Sequence, residues 1–418
     1  MAVSFTKKPS DAYAGPRPAG QKLIYTLYDA TTPDRYIVEV FESDTVNATT
    51  GTALGKVYLT PNAAGYAHFD LSDFVEGRVG APTADDAGDI IHEVDTIDNP
   101  ADGTGIRRYI VKGGQYNSGT ETLAEVTDGI YLCGGVEQIS SGLDASFTPY
   151  HPLGTSSYVW LTDEPPAPPL NKYFNYTMAD DDEGVAMLIN TLFLTPVTLL
   201  NKIRVQLYNA NNVLLGEVTN SALSGVTVSE NMNVVPLGPA NMAAYMAAAW
   251  DTSWDRYVIT PVQSNGTTAV GKGIQVYRDC RPYKHDPVQL AWTNTRGGWD
   301  YLRFDGRNLK TINTETKSYR QTVGTYGTST FAFNSWDRQT TPYHVTGKET
   351  YQLRNRYFDA GERDRLQYAF RSKDVMYRVG TGDWLPCTIQ TNSYTVQPAA
   401  SQLFDVSFNI ELSQDIRC

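Results

Sequence analysis

Short runs of β-branched and aromatic residues, each closed by a turn sequence, recur along the 418 residues of this chain. The runs 23–28 and 36–41 are short and rich in β-branched and aromatic residues, and the run 202–209 alternates apolar with polar residues, which is the period of a half-buried β-strand. The segments between the runs carry Pro, Asn, Asp and Gly, the residues that tight turns require. Many short strands separated by regular turn signals predict a mainly β fold made of Ig-like or fibronectin-like sandwiches.

Two segments are predicted to be helical instead. Residues 239–250 include an Ala- and Met-rich run with high helix propensity. In residues 359–372, Asp359 and Glu362 have the spacing of a capping box, and Leu366 lies on an apolar face.

Local turn sequences also predict which strands are neighbours. Residues 56–71 hold two strand-like runs around the breaker 61–65, which predicts a hairpin. The Asn-rich segment 209–212 predicts a second hairpin turn, and 294–298 predicts a third.

Two proline-rich segments suggest where domains begin and end. Successive prolines cannot join a central sheet and favour an extended spacer. The predicted organisation is an N-terminal arm (1–20), an Ig-like β-sandwich (21–163), a proline-rich linker (164–170), a second Ig-like β-sandwich (171–286) and a C-terminal β domain (287–418) with the helix 359–372.

Charge is unevenly distributed along the chain, whose net charge is −12. Residues 1–165 contain 10 Lys and Arg against 23 Asp and Glu, whereas residues 287–418 contain 16 against 13. Because phosphate binding needs clustered cations, direct nucleic-acid binding is not expected. An Arg-rich cluster, interleaved with carboxylates, is interpreted as a salt-bridged surface or subunit contact; it comprises Arg354, Arg356, Arg363, Arg365 and Arg371.

No catalytic constellation is recognisable, so the chain is predicted not to be an enzyme and to need no cofactor. None of the five histidines stands in a GxSxG or HExxH context, and structural roles are expected for them; they are His68, His92, His151, His285 and His344. The acidic run 180–183 lacks the alternating spacing of a calcium loop. The loop with Asp95, Asp98, Asn99 and Asp102 is slightly better spaced, and both segments are interpreted as solvated acidic loops. A catalytic carboxylate pair stays open, since its separation depends on the fold.

The cysteines and the hydropathy exclude further classes. The four cysteines have no zinc spacing and are interpreted as free thiols; they are Cys133, Cys280, Cys387 and Cys418. The first residues contain no apolar core of a signal peptide, and no apolar run approaches the length of a membrane span. Synthesis in a cytoplasm without membrane insertion is therefore expected.

One hairpin has a more specific pattern than the rest of the chain. Residues 289–304 read QLAWTNTRGGWDYLRF. This sequence resembles a WxNxxGGWDxxxF hairpin of virion proteins of tailed bacteriophages, including crAss-like and other Bacteroidetes-infecting phages. The strand, helix and strands that follow are similar in layout to tail-tube and distal-tail modules, and residues 59–75 resemble the Ig-like parts of such proteins. The resemblance implies a tail-type C-terminal domain.

The resemblance also implies a function: a structural subunit of a phage virion, in a tail, tail ring or head–tail connector. Its partners would be further copies of itself in a ring or tube and neighbouring virion proteins. Residues 1–20, 80–105 and 322–330 are predicted to become ordered against such neighbours. A host-surface or glycan-binding module is the first alternative, for which Trp336 in a polar stretch is the candidate exposed platform. A carbohydrate-active enzyme with accessory sandwiches is the second. Ring symmetry and position in the tail are not specified by the sequence.

Overall fold

A computed structural model describes most of the chain. The described residues are 3–9, 16–45, 48–75, 77–83, 90–94, 96–97, 105–135, 158–163, 173–190, 202–220, 232–327, 329–332, 334–358, 360–390, 404–413 and 416–417. With 53% of residues in strands and 9% in helices, the protein is mainly β with several sandwich-like sheets, which confirms the predicted fold class.

The chain divides into two compact units. The first contains Met1–Pro282, Ala291–Arg303 and Gly361–Asp374. The second contains Tyr283–Leu290, Phe304–Ala360 and Val375–Cys418.

The first β-sandwich opens unit one. Its strands are β1 (Ser4–Lys7), β2 (Arg17–Pro18), β3 (Ile24–Tyr28), β4 (Arg35–Ser43), β5 (Thr52–Leu59), β6 (Tyr66–Asp70), β7 (Ile106–Asn117) and β8 (Thr120–Cys133), with the one-turn helix α1 (Ser72–Val75) and a 3-10 turn at Ile91–Glu93. One sheet has the order β1-β3-β6 and the other β2-β8-β7-β4-β5. Alternate residues of both sheets, among them Tyr25, Val38 and Phe69, are buried in one apolar core.

The second β-sandwich repeats this arrangement strand for strand. Its strands are β9 (Tyr158–Trp160), β10 (Tyr173–Met178), β11 (Val185–Asn190), β12 (Lys202–Tyr208), β13 (Leu214–Thr219), β14 (Met232–Pro236), β15 (Arg256–Val262) and β16 (Gly273–Arg278). The sheet orders are β9-β11-β14 and β10-β16-β15-β12-β13, and in both sandwiches the second strand pairs in parallel with the last. The two sandwiches therefore share one Ig-like connectivity, a repeat that the sequence shows only weakly.

This repeat explains the two proline-rich segments and corrects the predicted domain boundaries. Val3 lies in the core and Arg17 is fully buried, so the described part of the predicted arm belongs to the first sandwich. Likewise β9 pairs with β11, although it precedes the predicted linker 164–170. Each proline-rich segment thus falls between the first and second strands of a sandwich, which pair in different sheets. Residues 10–15 and 164–172 themselves lie outside the described residues.

The predicted hairpin at 56–71 is wrong. Strand β5 pairs with β4, whereas β6 pairs with β3 in the opposite sheet. The connecting turn is held by Asn62, whose side-chain oxygen accepts hydrogen bonds from the backbone N–H groups of Ala64 and Tyr66. Apolar alternation predicts that a segment is a strand, but it does not specify the strand's partner. The predicted turn 209–212 does join the paired strands β12 and β13.

The first predicted helix begins where expected and ends early. Helix α2 spans Pro239–Met246, and the chain tightens into a 3-10 turn at Ala247–Ala249. Its Pro239 stands in the first turn, where a missing N–H leaves no helical hydrogen bond unmade.

The strands β17 (Val288–Thr293) and β18 (Trp299–Phe304) flank the predicted turn, and α3 (Ala360–Ala369) confirms the second helix. Residues 291–303 and 361–374 nevertheless belong to unit one, so the predicted domain 287–418 is not a single compact unit. The reason is that these residues make hydrogen bonds and buried contacts with the two sandwiches.

Unit two contains the remaining strands: β19 (Leu309–Arg320), β20 (Thr325–Tyr326), β21 (Phe331–Ala332), β22 (Thr340–Phe358), β23 (Val375–Val379), β24 (Leu385–Ile389), β25 (Phe404–Leu412) and β26 (Ile416–Arg417). Its sheet runs in the order β23-β24-β25-β22-β19, and β26 also pairs with β22. The predicted strands 351–357, 375–379 and 403–412 are present, whereas β19 has no predicted counterpart.

Candidate functional site

The hairpin 291–303 is almost entirely buried within unit one. Every residue in it is buried except the half-buried Arg296 and Arg303. The Trp299 indole N–H donates to the Pro82 carbonyl, at 2.8 Å, on the side of the first sandwich. Tyr301 accepts a hydrogen bond from the Val185 N–H of the second sandwich. The hairpin therefore contacts both sandwiches, and we call it the junction hairpin.

The turn of the junction hairpin depends on Asn294 and Gly297. The Asn294 side chain donates to the Leu161 carbonyl at 2.9 Å, and its oxygen accepts from the N–H groups of Arg296 and Gly298. Gly297 has a φ of +87°, and a Cβ there would lie 2.3 Å from the Gly134 carbonyl oxygen. Only glycine fits this position without displacing the first sandwich.

A buried carboxylate joins the junction hairpin to the second sandwich. Asp300 is fully buried and accepts hydrogen bonds from the Thr162 hydroxyl at 2.9 Å and the Asp163 N–H at 3.2 Å. Burial, reinforced by the negative charge of Asp163, raises the pKa of Asp300, while the Arg365 cation opposes the rise. The group thus holds its proton more tightly in the folded protein than in the unfolded chain.

His92 has the structural role expected from the sequence. It is fully buried, its ring packs edge-on against Trp299 at a centroid distance of 4.5 Å, and its Nδ1 lies 2.7 Å from the Tyr301 hydroxyl. Burial lowers the pKa of His92 to about 3, so the ring is neutral. Since the Tyr301 oxygen already accepts from Val185, its own proton is available for Nδ1.

The acidic run 180–183 is not simply a solvated loop. Asp182 is 3% exposed and forms an ion pair with Arg303 of the junction hairpin. Burial raises the pKa of Asp182 to about 6, although the Arg303 charge acts in the opposite direction. Within the described ranges, no group of three or more His, Cys, Asp or Glu side chains is placed to hold a metal ion. The second acidic segment, 95–102, lies almost wholly outside those ranges.

The Arg-rich cluster is partly internal, which corrects its interpretation as a surface. Arg365 is 6% exposed, and its guanidinium lies 5.7 Å from the ring centre of Tyr176. Arg363 pairs with the adjacent Asp364, and Arg354 bonds to Gln352. The side chain of Arg356 lies outside the described residues.

Parts of two predicted contact segments pack inside the chain. Ile91 and His92, from the segment 80–105, are completely buried, and Val3 and Arg17, from the segment 1–20, are buried as well. Of the buried cysteines, Cys133 donates to the Arg296 carbonyl of the junction hairpin, and burial raises its pKa to about 12. These segments stabilise unit one.

The third predicted contact segment, 322–330, lies in unit two, between β19 and β22. All twelve residues of β19 are exposed, and they pair with β22 from Leu309–Gln352 to Arg320–Thr340. Strand β25 pairs with β22 only from Thr350 onward, and β26 pairs with it at Thr346 and Gly347. We call residues 309–348, most of which lie beyond these pairings, the ribbon.

The ribbon has unusually exposed apolar side chains. Six of the eleven large hydrophobic residues that are exposed in the described chain lie in it: Leu309, Ile312, Tyr319, Phe331, Trp336 and Tyr343. Trp336 is 77% exposed, which confirms the exposure predicted for it, and the rings of Tyr319 and Tyr343 lie 6.3 Å apart. A two-stranded ribbon with both faces in water is only marginally stable by itself.

Unit one contains a cleft of about 460 Å³. Its charged lining mixes cations with carboxylates: Lys22, Arg371 and Lys373 with Asp73 and Asp374. This lining does not select for a ligand of one charge. In the part of the chain that the structure describes, no helix is both long enough and apolar enough to cross a membrane.

No family model matches the sequence, and no curated protein matches it. Among solved structures, native alpha-2-macroglobulin of Escherichia coli is similar over 90% of this chain and 22% of that chain, with 8% identity and a TM-score of 0.22. The trypsin-activated form is similar over 98% of this chain and 24% of that chain, with 8% identity and a TM-score of 0.21. The chain spans less than a quarter of the length of these proteins. TM-scores this low carry no argument about fold or function.

Proposed function

We propose that the chain is a non-enzymatic structural subunit that assembles through the ribbon. The observation that carries this proposal is the complete exposure of β19 together with the exposed Phe331, Trp336 and Tyr343. Monomeric proteins seldom leave a long edge strand and clustered aromatic rings in water, because such surfaces pair with other chains.

The rest of the molecule supports a scaffold role. The sandwiches have matched connectivity, and the junction hairpin contacts both with buried, hydrogen-bonded polar groups. Buried polar groups with satisfied partners specify one arrangement of the elements that they join. Sandwiches fixed to each other by such groups are suited to a repeating assembly.

We further propose a tailed-phage virion as the setting, in a tail, tail ring or head–tail connector, with other virion proteins as additional neighbours. This setting is supported by the resemblance of residues 289–304. Mass spectrometry of purified phage particles tests it, and the protein is expected at ring-like copy number. Its absence from the particles would contradict the setting without affecting assembly through the ribbon.

Truncation of the ribbon tests the assembly itself. Thr311 pairs directly with Thr350, so residues 312–349 can be replaced by an Asn-Gly dipeptide that closes a two-residue hairpin. We expect the wild-type protein to form oligomers in analytical ultracentrifugation. The truncated protein should be folded and monomeric, with a somewhat lower melting temperature because β26 loses its partners Thr346 and Gly347.

A matched control removes exposed apolar residues elsewhere. Val213 and Leu214 are 55% and 47% exposed at the β12–β13 turn, and their replacement by Ser should leave assembly intact. A monomeric wild-type protein, or oligomers that survive truncation, would exclude the proposed function.

A second candidate function is glycan binding, and the exposure of Trp336 favours it. The exposed indole of Trp336 and the exposed rings of Tyr319 and Tyr343 in the same ribbon are apolar platforms of the kind that sugar faces pack on. A glycan array with wild-type protein and Trp336→Ala tests this function. Binding that the variant loses, by a protein that stays monomeric, would favour the glycan-binding module over the structural subunit.

A further inference from the structure

The ribbon is basic, whereas the first sandwich of the same chain is acidic. Residues 309–348 contain 5 Lys and Arg against 2 Asp and Glu, whereas residues 1–133, which end with the last strand of the first sandwich, contain 10 against 19. In the outer half of the ribbon the cations are Lys317, Arg320 and Arg338, all of them exposed. Surfaces of opposite charge steer association and fix which surfaces meet.

The acidic sandwich has a sheet edge that could receive another strand. Strand β5 is the last strand in its sheet. Its Tyr58 is 43% exposed, and the hydroxyl donates to Glu121. An edge strand presents backbone N–H and C=O groups that can pair with an added strand.

The equivalent strand of the second sandwich is packed differently. A Cβ at Gly216 of β13 would lie 2.1 Å from the Ala249 carbonyl oxygen, because the 3-10 turn after α2 packs against that strand. At Gly55 of β5, the nearest atoms belong instead to the side chain of Phe74. At these two glycines, the last strand of the sheet therefore meets backbone in the second sandwich and a side chain in the first.

Carboxylates lie around β5, some of them paired with cations. Asp44 follows the strand that pairs with β5; its side chain is 76% exposed and lies 3.3 Å from Arg107. Asp73 is exposed on α1, next to the Phe74 that packs on β5. Glu121 bonds to Tyr58 and forms an ion pair with Lys56 of β5.

We propose that the partner of the ribbon is a second copy of this chain, whose acidic β5 edge receives the basic ribbon. This inference rests on the proposed function and specifies its contact. The contact joins two different surfaces, so it is heterologous and builds a ring if the rotation closes.

Reciprocal charge reversal tests the contact. One variant carries Lys317→Glu, Arg320→Glu and Arg338→Glu; the other carries Asp44→Lys, Asp73→Lys and Glu121→Lys. Each variant alone should self-associate at least about tenfold more weakly than the wild type, and added salt should weaken wild-type association. An equimolar mixture should recover association, because each ribbon then meets an edge of opposite charge.

A control reverses three exposed cations outside the ribbon, Arg281, Lys284 and Lys373, and should associate as the wild type does. Circular dichroism melting verifies that each variant folds. If the lysine variant does not fold, Asp44→Asn, Asp73→Asn and Glu121→Gln replace it, with the same expected direction.

Failure of this inference differs from failure of the proposed function. If truncation of the ribbon abolishes oligomers but either reversal associates normally, or if the mixture does not recover, then the ribbon binds elsewhere and the β5 edge is excluded. If truncation itself has no effect, the proposed function fails together with the contact.

Discussion

The junction hairpin and the ribbon follow each other in sequence, and both are β-hairpins rich in aromatic, Thr and Asn residues. In the first, Trp299 is 1% exposed and Asn294 is fully buried. In the second, Trp336 is 77% exposed and every residue of β19 is exposed. The same residue types are therefore buried in one hairpin and exposed in the other. The difference is that the polar atoms and rings of the junction hairpin bond to and pack against other residues of the chain, whereas those of the ribbon face solvent.

Replacing the two tryptophans by alanine should separate the two regions most strongly. Trp299→Ala removes a buried indole and its hydrogen bond to Pro82, and should lower the free energy of unfolding by about 3 to 5 kcal/mol. Trp336→Ala should change it by less than about 0.5 kcal/mol. Urea denaturation measures both. Similar losses in the two variants would show that the ribbon is as integral to the fold as the junction hairpin.

Replacing Asn294 and Asn313 by alanine should give a smaller difference in the free energy of unfolding, again with the larger loss in the junction hairpin. Asn294→Ala leaves the Leu161 carbonyl and two turn N–H groups without their bonds, at a cost of about 2 to 3 kcal/mol. Asn313 donates to the Thr350 hydroxyl at 3.2 Å in an exposed hydrogen bond, so Asn313→Ala serves as the matched control near zero. The same denaturation curves report both values. Equal destabilisation would indicate that the turn does not depend on the Asn294 amide.

The smallest expected effect is a pH dependence at Asp300. Burial raises its pKa above the ordinary 3.8, so the folded state binds this proton more tightly than the unfolded chain does. Its contribution to stability is therefore full below that ordinary pKa and decreases as pH rises through the raised pKa. The stability of the wild type relative to Asp300→Asn should fall by about 1 kcal/mol from about pH 5 to about pH 7.5.

Melting temperatures across this range check the sign. In the ribbon-truncated protein, the Asp300→Asn substitution should produce the same difference, because the effect belongs to the junction hairpin. A stability of the wild type that rises with pH relative to the variant would mean that ion pairing with Arg365 outweighs burial.

Strand and turn signals were sufficient to predict most elements that have a buried face. The strands β3, β4, β12, β15 and β25 and both longer helices lie where alternation and capping place them. Strand β19 was missed because it has no buried face, and its LKTINTETKSYR sequence carries no apolar alternation. Its repeated Thr is the one local signal that could have indicated a strand.

Pairing and domain membership could not be predicted from the same signals. The alternation of β5 and β6 is that of a hairpin, but the two strands lie in opposite sheets. The two proline-rich segments resemble linkers, but in sequence each falls between two strands of one sandwich. The pattern at 289–304 was recognised as specific, yet nothing in it indicates that its Asn, Trp and Asp side chains bond to residues more than a hundred positions away.

The sequence by itself determined the fold class, the two helices, the acidic front of the chain and the exposure of Trp336, because each depends on local periodicity or composition. Only the tertiary structure decided that the two sandwiches repeat one connectivity, that the junction hairpin is interior and that the ribbon is not. Those outcomes depend on which distant backbone and side-chain groups satisfy each other's hydrogen bonds, and that information is not local to any segment.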